Sequence, residues 1–201
     1  TFALSAGGAT RGGLHTSRQG KQGTEMLIDD VAHGGGALAL AGGSPHRLLY
    51  ATPELTAPLH ISGTPRVTIR LASSKPAANL SVWLVQLPWT EGPISPANLV
   101  TRGWADPQNH RSLRDGGNYD AMARGQPLEP GRFYTLTFSL QPDDQIIPAG
   151  RRLALMIFSS DRDFTLWPAA GTELTIDLDA TSLGLPVVGG AAAFARAAGG
   201  R

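Results

Sequence analysis

The chain has no cysteine among its 201 residues. Disulfides and thiolate metal sites are excluded, and the redox compartment leaves no trace. Charge is sparse: 16% of residues are charged and the formal net charge is +1. Basic residues do not gather on one face or helix, so no nucleic-acid partner and no anionic membrane surface is indicated. No apolar run approaches the roughly 20 residues that cross a bilayer. Thr1–Gly13 is rich in Gly, Ala and Thr and lacks a basic start followed by an apolar stretch, so no signal peptide is read there. The abrupt opening, Thr1-Phe2-Ala3-Leu4, reads as mid-protein sequence. Cytoplasm and export both stay open.

What the chain does have is turns between apolar runs. It carries 25 glycines and 15 prolines with 41% hydrophobic residues, the texture of many short strands. Its length suits one domain with a sizeable core. Period-two alternation is the clearest signal. Val67, Ile69 and Leu71 oppose Arg66, Thr68 and Arg70; Tyr134, Leu136, Phe138 and Leu140 oppose Thr135, Thr137 and Ser139; Leu174, Ile176 and Leu178 oppose Thr175, Asp177 and Asp179. Each reads as a strand with one buried and one wet face, the habit of antiparallel sheets.

Leu80–Leu87 and Leu153–Phe158 are apolar on both faces, so they read as central strands covered on both sides or buried at a domain contact. Weaker strand candidates are Glu25–Asp30, Ala37–Ala41, Arg47–Ala51, Leu59–Ser62 and Leu99–Ala105. Turn signals separate them, among them Gly63-Thr64-Pro65, Pro142-Asp143-Asp144 and Pro148-Ala149-Gly150. Pro88–Pro96 and Pro107–Gly117 read as longer loops with room for a helical turn. The one helix-like tract, Ala191–Ala198, is short and glycine-flanked, and is expected to fray. The resulting organisation is a lead-in segment or loop over 1–24, a domain over 25–190 and a C-terminal tail over 191–201. The fold class is all-β: eight or more antiparallel strands in two sheets, a jelly-roll β-sandwich or a relative of one.

Chemistry is hard to find. A Gly-x-Ser-x-Gly elbow, which exposes a serine nucleophile on a strand-to-helix turn, is missing. The nearest tract, Gly42-Gly43-Ser44-Pro45-His46, lacks the last glycine, and its Ser44 and His46 read as turn residues. His15, His33, His46, His60 and His110 show no metal-ligand spacing. The acidic pairs Asp29-Asp30, Asp143-Asp144 and Asp177/Asp179 are weighed as calcium ligands and read instead as solvated turn and edge charges. No glycine-rich loop opens a helix to hold a phosphate. No catalytic residue, cofactor or metal ligand is therefore assigned. Of the four tryptophans, Trp83 reads as core. Trp89, Trp104 and Trp167 lie at loops or strand ends; they read first as partly buried loop anchors, and, if exposed, as rings for an inter-domain contact or for stacking on sugars.

Several stretches in order resemble a known family. Leu55-Thr-Ala-Pro-Leu-His-Ile-Ser-Gly-Thr-Pro-Arg-Val-Thr-Ile-Arg-Leu-Ala-Ser-Ser74 is similar to the opening of the C-terminal domain of X-prolyl dipeptidyl-peptidases and related acyl hydrolases, cocaine esterase-like enzymes among them. Ala78–Val85, Arg102-Gly103-Trp104 through Ser112, and Leu128–Leu140 match later segments. Pro148–Asp161 is the best single match, with Arg151 at the family's usual histidine. The resemblance covers about residues 48–180. It implies a galactose-binding-like jelly roll with the active-site serine, aspartate and histidine in an upstream α/β-hydrolase domain. It also implies that the parent transfers an acyl group to water through a serine ester, releasing X-Pro dipeptides as an aminopeptidase, or cleaving esters or amides. The chain alone is then expected to be inactive, an accessory domain that packs on the hydrolase and shapes or shields its cleft. Two other readings stand beside it: an independent carbohydrate-binding module, and a structural or homo-oligomerising sandwich with a symmetric contact above roughly 1,000 Å².

Overall fold

Period two in the sequence becomes strands in the molecule. The computed structural model describes residues 1–90, 92, 94–117 and 124–200, and residues 91 and 93 of the Pro88–Pro96 loop lie outside that set. Among the described residues the order is β1 (Phe2–Ser5), β2 (Gly12–His15), β3 (Thr24–Ile28), α1 (Gly35–Leu40), β4 (Arg47–Ala51), β5 (Leu59–Gly63), β6 (Arg66–Ser73) and β7 (Leu80–Leu87). There follow β8 (Leu99–Ala105), β9 (Phe133–Ser139), β10 (Asp143–Ile147), β11 (Arg152–Phe158), β12 (Glu173–Gly184) and α2 (Gly190–Ala197). The protein is all-β.

Ten strands form one wrapped sheet in the order β8-β7-β11-β4-β2-β1-β12-β6-β9, with β3 pairing the first half of β12; β5 and β10 make a separate ribbon. The ends of the path nearly close. Gln141, just past β9, donates its N–H to the Arg102 carbonyl at 2.9 Å. Thr101 Oγ1 donates back to the Gln141 carbonyl at 2.6 Å. Gly103 permits this crossing, since a Cβ there would lie 3.1 Å from Leu140 Cα and 3.2 Å from the Ser139 oxygen.

The core fills the interior of this wrap with side chains such as Leu14, Tyr50, Ile69, Leu84, Leu136 and Ile176. A second, smaller core lies on the outer face, where Leu38 and Ala39 of α1 and Trp89 cover Leu49, Trp83, Val85, Met156 and Phe158. That explains why β7 and β11 are apolar on both sides: the same chain covers both.

The structure corrects several expectations. Ala37–Ala41 is not a strand; Ala37–Leu40 lie in α1 and Ala41 caps it, with Leu38 and Ala39 facing the sheet. Arg47 holds the end of this helix, donating to the carbonyls of Leu38 at 3.2 Å and Ala41 at 2.7 Å, and so supplies C-terminal acceptors with a cation. Residues 1–24 are more than a loop, because they contain β1 and β2, with Phe2, Leu4 and Leu14 in the core. β2 pairs β4 in parallel, against the antiparallel expectation. The intervening β3 and α1 provide the long crossover that a parallel pair needs. Asp143 and Asp144 begin β10, paired with Gly63 and Ser62, rather than closing a turn. α2 is anchored: Phe194 meets Phe2 edge-on at 4.8 Å, and the Ala197 carbonyl accepts the Thr56 N–H at 2.7 Å. Asp177 and Asp179 do alternate with the buried Ile176 and Leu178, but both are engaged rather than free charges. Asp177 pairs with Arg70 and caps the N–H groups of Asp179 and Ala180 where the β12 register shifts. Asp179 accepts from Gln22 at 2.9 Å and Gly23 at 3.0 Å.

Candidate functional site

Strand geometry gathers an aromatic corner at one end of the wrap. Arg102 and Trp104 are two apart on β8, so they share a face. Arg102 lies directly across from Trp83 on β7, and Trp83 across from Met156 on β11. β11 then runs out into Ser159-Ser160-Asp161. Asp161 is 1% exposed, and its Oδ2 accepts both indole N–H groups, from Trp83 and Trp104, each at 2.9 Å. Burial pushes the Asp161 carboxyl above its usual range, while the two indoles and the nearby Arg102 charge pull the other way.

The Arg102 guanidinium sits among rings: 3.9 Å from the Phe164 centroid, 5.1 Å from Trp104 and 5.6 Å from Trp83. Phe164 stacks on Trp104 at 5.7 Å. The Arg102 Nη1 is buried without a hydrogen-bond partner among the described residues. The loop after β11 is tied down by its own main chain. The Asp161 carbonyl accepts from Phe164 at 2.8 Å and Thr165 at 2.9 Å, and Thr165 Oγ1 accepts the Asp161 N–H at 3.1 Å. Trp167 Nε1 donates to the Arg162 carbonyl at 3.4 Å. On this frame stand three exposed apolar side chains: Phe164 at 49%, Leu166 at 88% and Trp167 at 56%.

Of the three tryptophans singled out in the sequence, Trp104 stacks under Phe164 and Trp167 stands on the same loop as Phe164. Trp89 lies elsewhere. It is 7% exposed and stacks on Trp83 at 6.2 Å, within the outer core. Sequence reasoning missed Asp161, Arg102, Phe164 and Leu166. Asp161 had no local signal, since its indole partners lie 57 and 78 residues away.

The polar pairs elsewhere are structural. Ser44 Oγ accepts the His46 N–H at 3.0 Å while His46 Nδ1 meets the Ile28 carbonyl, so the two close a turn. His33 pairs with Asp30, and His60 on β5 with Asp144, each at 2.6 Å. Ser5 Oγ meets His15 Nε2 at 3.0 Å and accepts the Gly13 N–H at 3.1 Å, which knits β1 to β2. His110 packs against Tyr134, and burial, then Arg111 and Arg132, lower its pKa. Arg151 donates to the carbonyls of Ala97 at 2.7 Å and Gln86 at 3.4 Å, bracing the stretch after β7. Among the described residues no group of three or more His, Asp or Glu is placed to hold a metal ion. None of their helices is long and apolar enough to cross a membrane.

Comparison with known proteins places this architecture. Residues 1–197 match the model of the X-Pro dipeptidyl-peptidase C-terminal non-catalytic domain. A Rhodopirellula baltica protein, provisionally named Xaa-Pro dipeptidyl-peptidase, is 52% identical over 186 residues, covering 92% of this chain. The chain spans 28% of that relative's length. The Xaa-Pro dipeptidyl-peptidase of Lactobacillus delbrueckii subsp. bulgaricus is 30% identical over 158 residues, covering 68% of the chain and 20% of the relative. Among solved structures, an α-amino acid ester hydrolase superposes with a TM-score of 0.65 at 18% identity, over 93% of this chain and 36% of its own. A CocE/NonD family hydrolase from Staphylococcus aureus gives 0.62 at 11% identity, over 94% and 36%. These two likenesses concern the fold. The chain belongs to the X-Pro dipeptidyl-peptidase C-terminal non-catalytic domain family.

Proposed function

We propose that this chain is the C-terminal accessory domain of a serine X-prolyl dipeptidyl-peptidase or a related acyl hydrolase. It packs on an upstream α/β-hydrolase domain and helps shape or shield that domain's active site. Its wrapped sheet is then the galactose-binding-like jelly roll of such enzymes. The match of residues 1–197 to a family of C-terminal non-catalytic domains carries this reading. Trp167, 56% exposed at the aromatic corner, is in keeping with it.

The test is an assay on an X-Pro chromogenic substrate, run on the 201-residue chain and on the polypeptide its gene encodes. The reading expects turnover by the longer polypeptide and none by the chain alone. Turnover by the purified chain, or a gene product without a serine hydrolase region, overturns it.

A further inference from the structure

We infer that the loop over residues 161–168, with Phe164, Leu166 and Trp167 at its crest, is the anchor by which this domain docks on the upstream hydrolase domain. The inference rests on the accessory-domain reading and adds the face. The loop presents three large apolar side chains within four residues, yet its backbone is fixed by the hydrogen bonds around Asp161 and its root by two indoles on one carboxylate. Arg102 and Trp104 form a pedestal under Phe164. A rigid apolar projection loses little entropy on binding, the property of an interface hot spot.

The size of the patch selects the occupant. At the exposures above, the three side chains offer roughly 400 Å², given the 150–250 Å² that a large ring can bury. A standard interface needs about 800 Å² from each partner. A free second copy would need far more surface than this loop supplies. A tethered domain meets the loop at an effective concentration of about millimolar, so a small anchor suffices. The tether also reaches. Phe2 pairs with Leu183 near the far end of β12, whereas the loop precedes its first residue, Glu173. Twelve strand residues span about 40 Å. A folded body of a few hundred residues has a radius of gyration of roughly 20 Å and covers that distance. A rival face is the cleft of about 420 Å³ beside α2, lined by Leu14, Pro53, Ala191 and Phe194. It is concave and presents little large apolar surface.

The experiment is amide hydrogen exchange on the chain alone and on the polypeptide its gene encodes, each as wild type and as Leu166→Asp. The inference expects at least tenfold slower exchange across 164–167 in the longer polypeptide, lost in Leu166→Asp. The same variant leaves the chain alone unchanged in melting temperature. Equal exchange at the loop, with protection appearing beside α2 instead, overturns the docking face and leaves the accessory reading standing. Slow exchange at the loop in the chain alone, rising on dilution, would mean that a second copy covers it and overturns the inference. A longer polypeptide with no hydrolase activity and no newly protected segment overturns both.

Discussion

Arg47 offers the sharpest test of how the outer core is held. Its side chain is fully buried and makes five hydrogen bonds to main-chain carbonyls: Leu38, Gly8, Ala9, Thr10 and Ala41. Burial lowers its pKa, yet an arginine stays charged at neutral pH. Arg47→Met keeps the apolar stem and removes every donor. Two of the acceptors lose little, because Gly8 also accepts from Leu49 and Ala9 from Ser44. The carbonyls of Leu38, Thr10 and Ala41 lose their Arg47 donor, the first in a buried setting and the others where water can reach in part. At about 1–3 kcal/mol for a buried orphan and near 1 kcal/mol for each partly wet one, the loss is roughly 3–5 kcal/mol. Relief of the guanidinium's desolvation does not cancel this, since the acceptors remain in place. For a domain of about 200 residues, 2–4 °C per kcal/mol gives a fall of about 12 °C in melting temperature. Thermal and urea unfolding followed by near-ultraviolet circular dichroism measure it. Arg47→Lys keeps the charge but not the fork, and is expected to lose more than about 2 kcal/mol. A loss below about 1 kcal/mol for Arg47→Met would refute the claim that this cation fastens α1 and the 8–10 loop to the sheet.

Gly103→Ala puts a Cβ 3.1 Å from Leu140 Cα and 3.2 Å from the Ser139 oxygen, so a destabilisation of about 1–3 kcal/mol is expected in urea titration. Trp89→Ala empties part of the outer core and is expected to cost about 3–5 kcal/mol, whereas Leu166→Ser, at an exposed site, stays within about 0.5 kcal/mol in the chain alone. Asp161 has a folded-state pKa above its unfolded value, so its contribution to stability is highest at acid pH and falls as pH rises through that window. Asp161→Asn keeps an acceptor for the indoles without the buried charge. The stability of the variant minus that of wild type should therefore increase from pH 4 to pH 7, and a flat or falling difference refutes the assignment. Asp179 shows the opposite sign, because the N–H groups of Gln22 and Gly23 lower its pKa. Exchange at those two amides should quicken as pH falls through that lowered value, after correction for the intrinsic rate.

The legibility of this fold follows the length over which each signal is written. β6, β9 and β12 hold period two long enough to be read directly, and the double-sided apolarity of β7 and β11 announced a second cover. The failures are short elements whose pattern fits two structures. Ala37-Leu38-Ala39-Leu40-Ala41 alternates like a strand, yet Leu38 and Ala39 both bury in α1, and so short a run cannot display a helical repeat. In β1 the alternation of Phe2 and Leu4 is present but brief, and the Gly-rich tract that follows hides β2. β10 is masked by Pro142-Asp143-Asp144, where proline and aspartate speak for a turn while Gly63 and Ser62 supply strand partners from far away. The candidate site failed for a further reason. Rings at loop ends are conspicuous in the sequence, but whether each is exposed or, like Trp89, a buried anchor is not written there. Ring exposure depends on what covers the ring, and here α1 covers Trp89 while nothing in the described chain covers Leu166. Asp161 is the member that turns separate rings into one corner. Its role is set by strand pairing alone, which brings β7 and β8 beside the end of β11. The Asp161 carboxylate is 1% exposed, with both indoles on its Oδ2, so it is shut off from solvent and holds the shape of the corner.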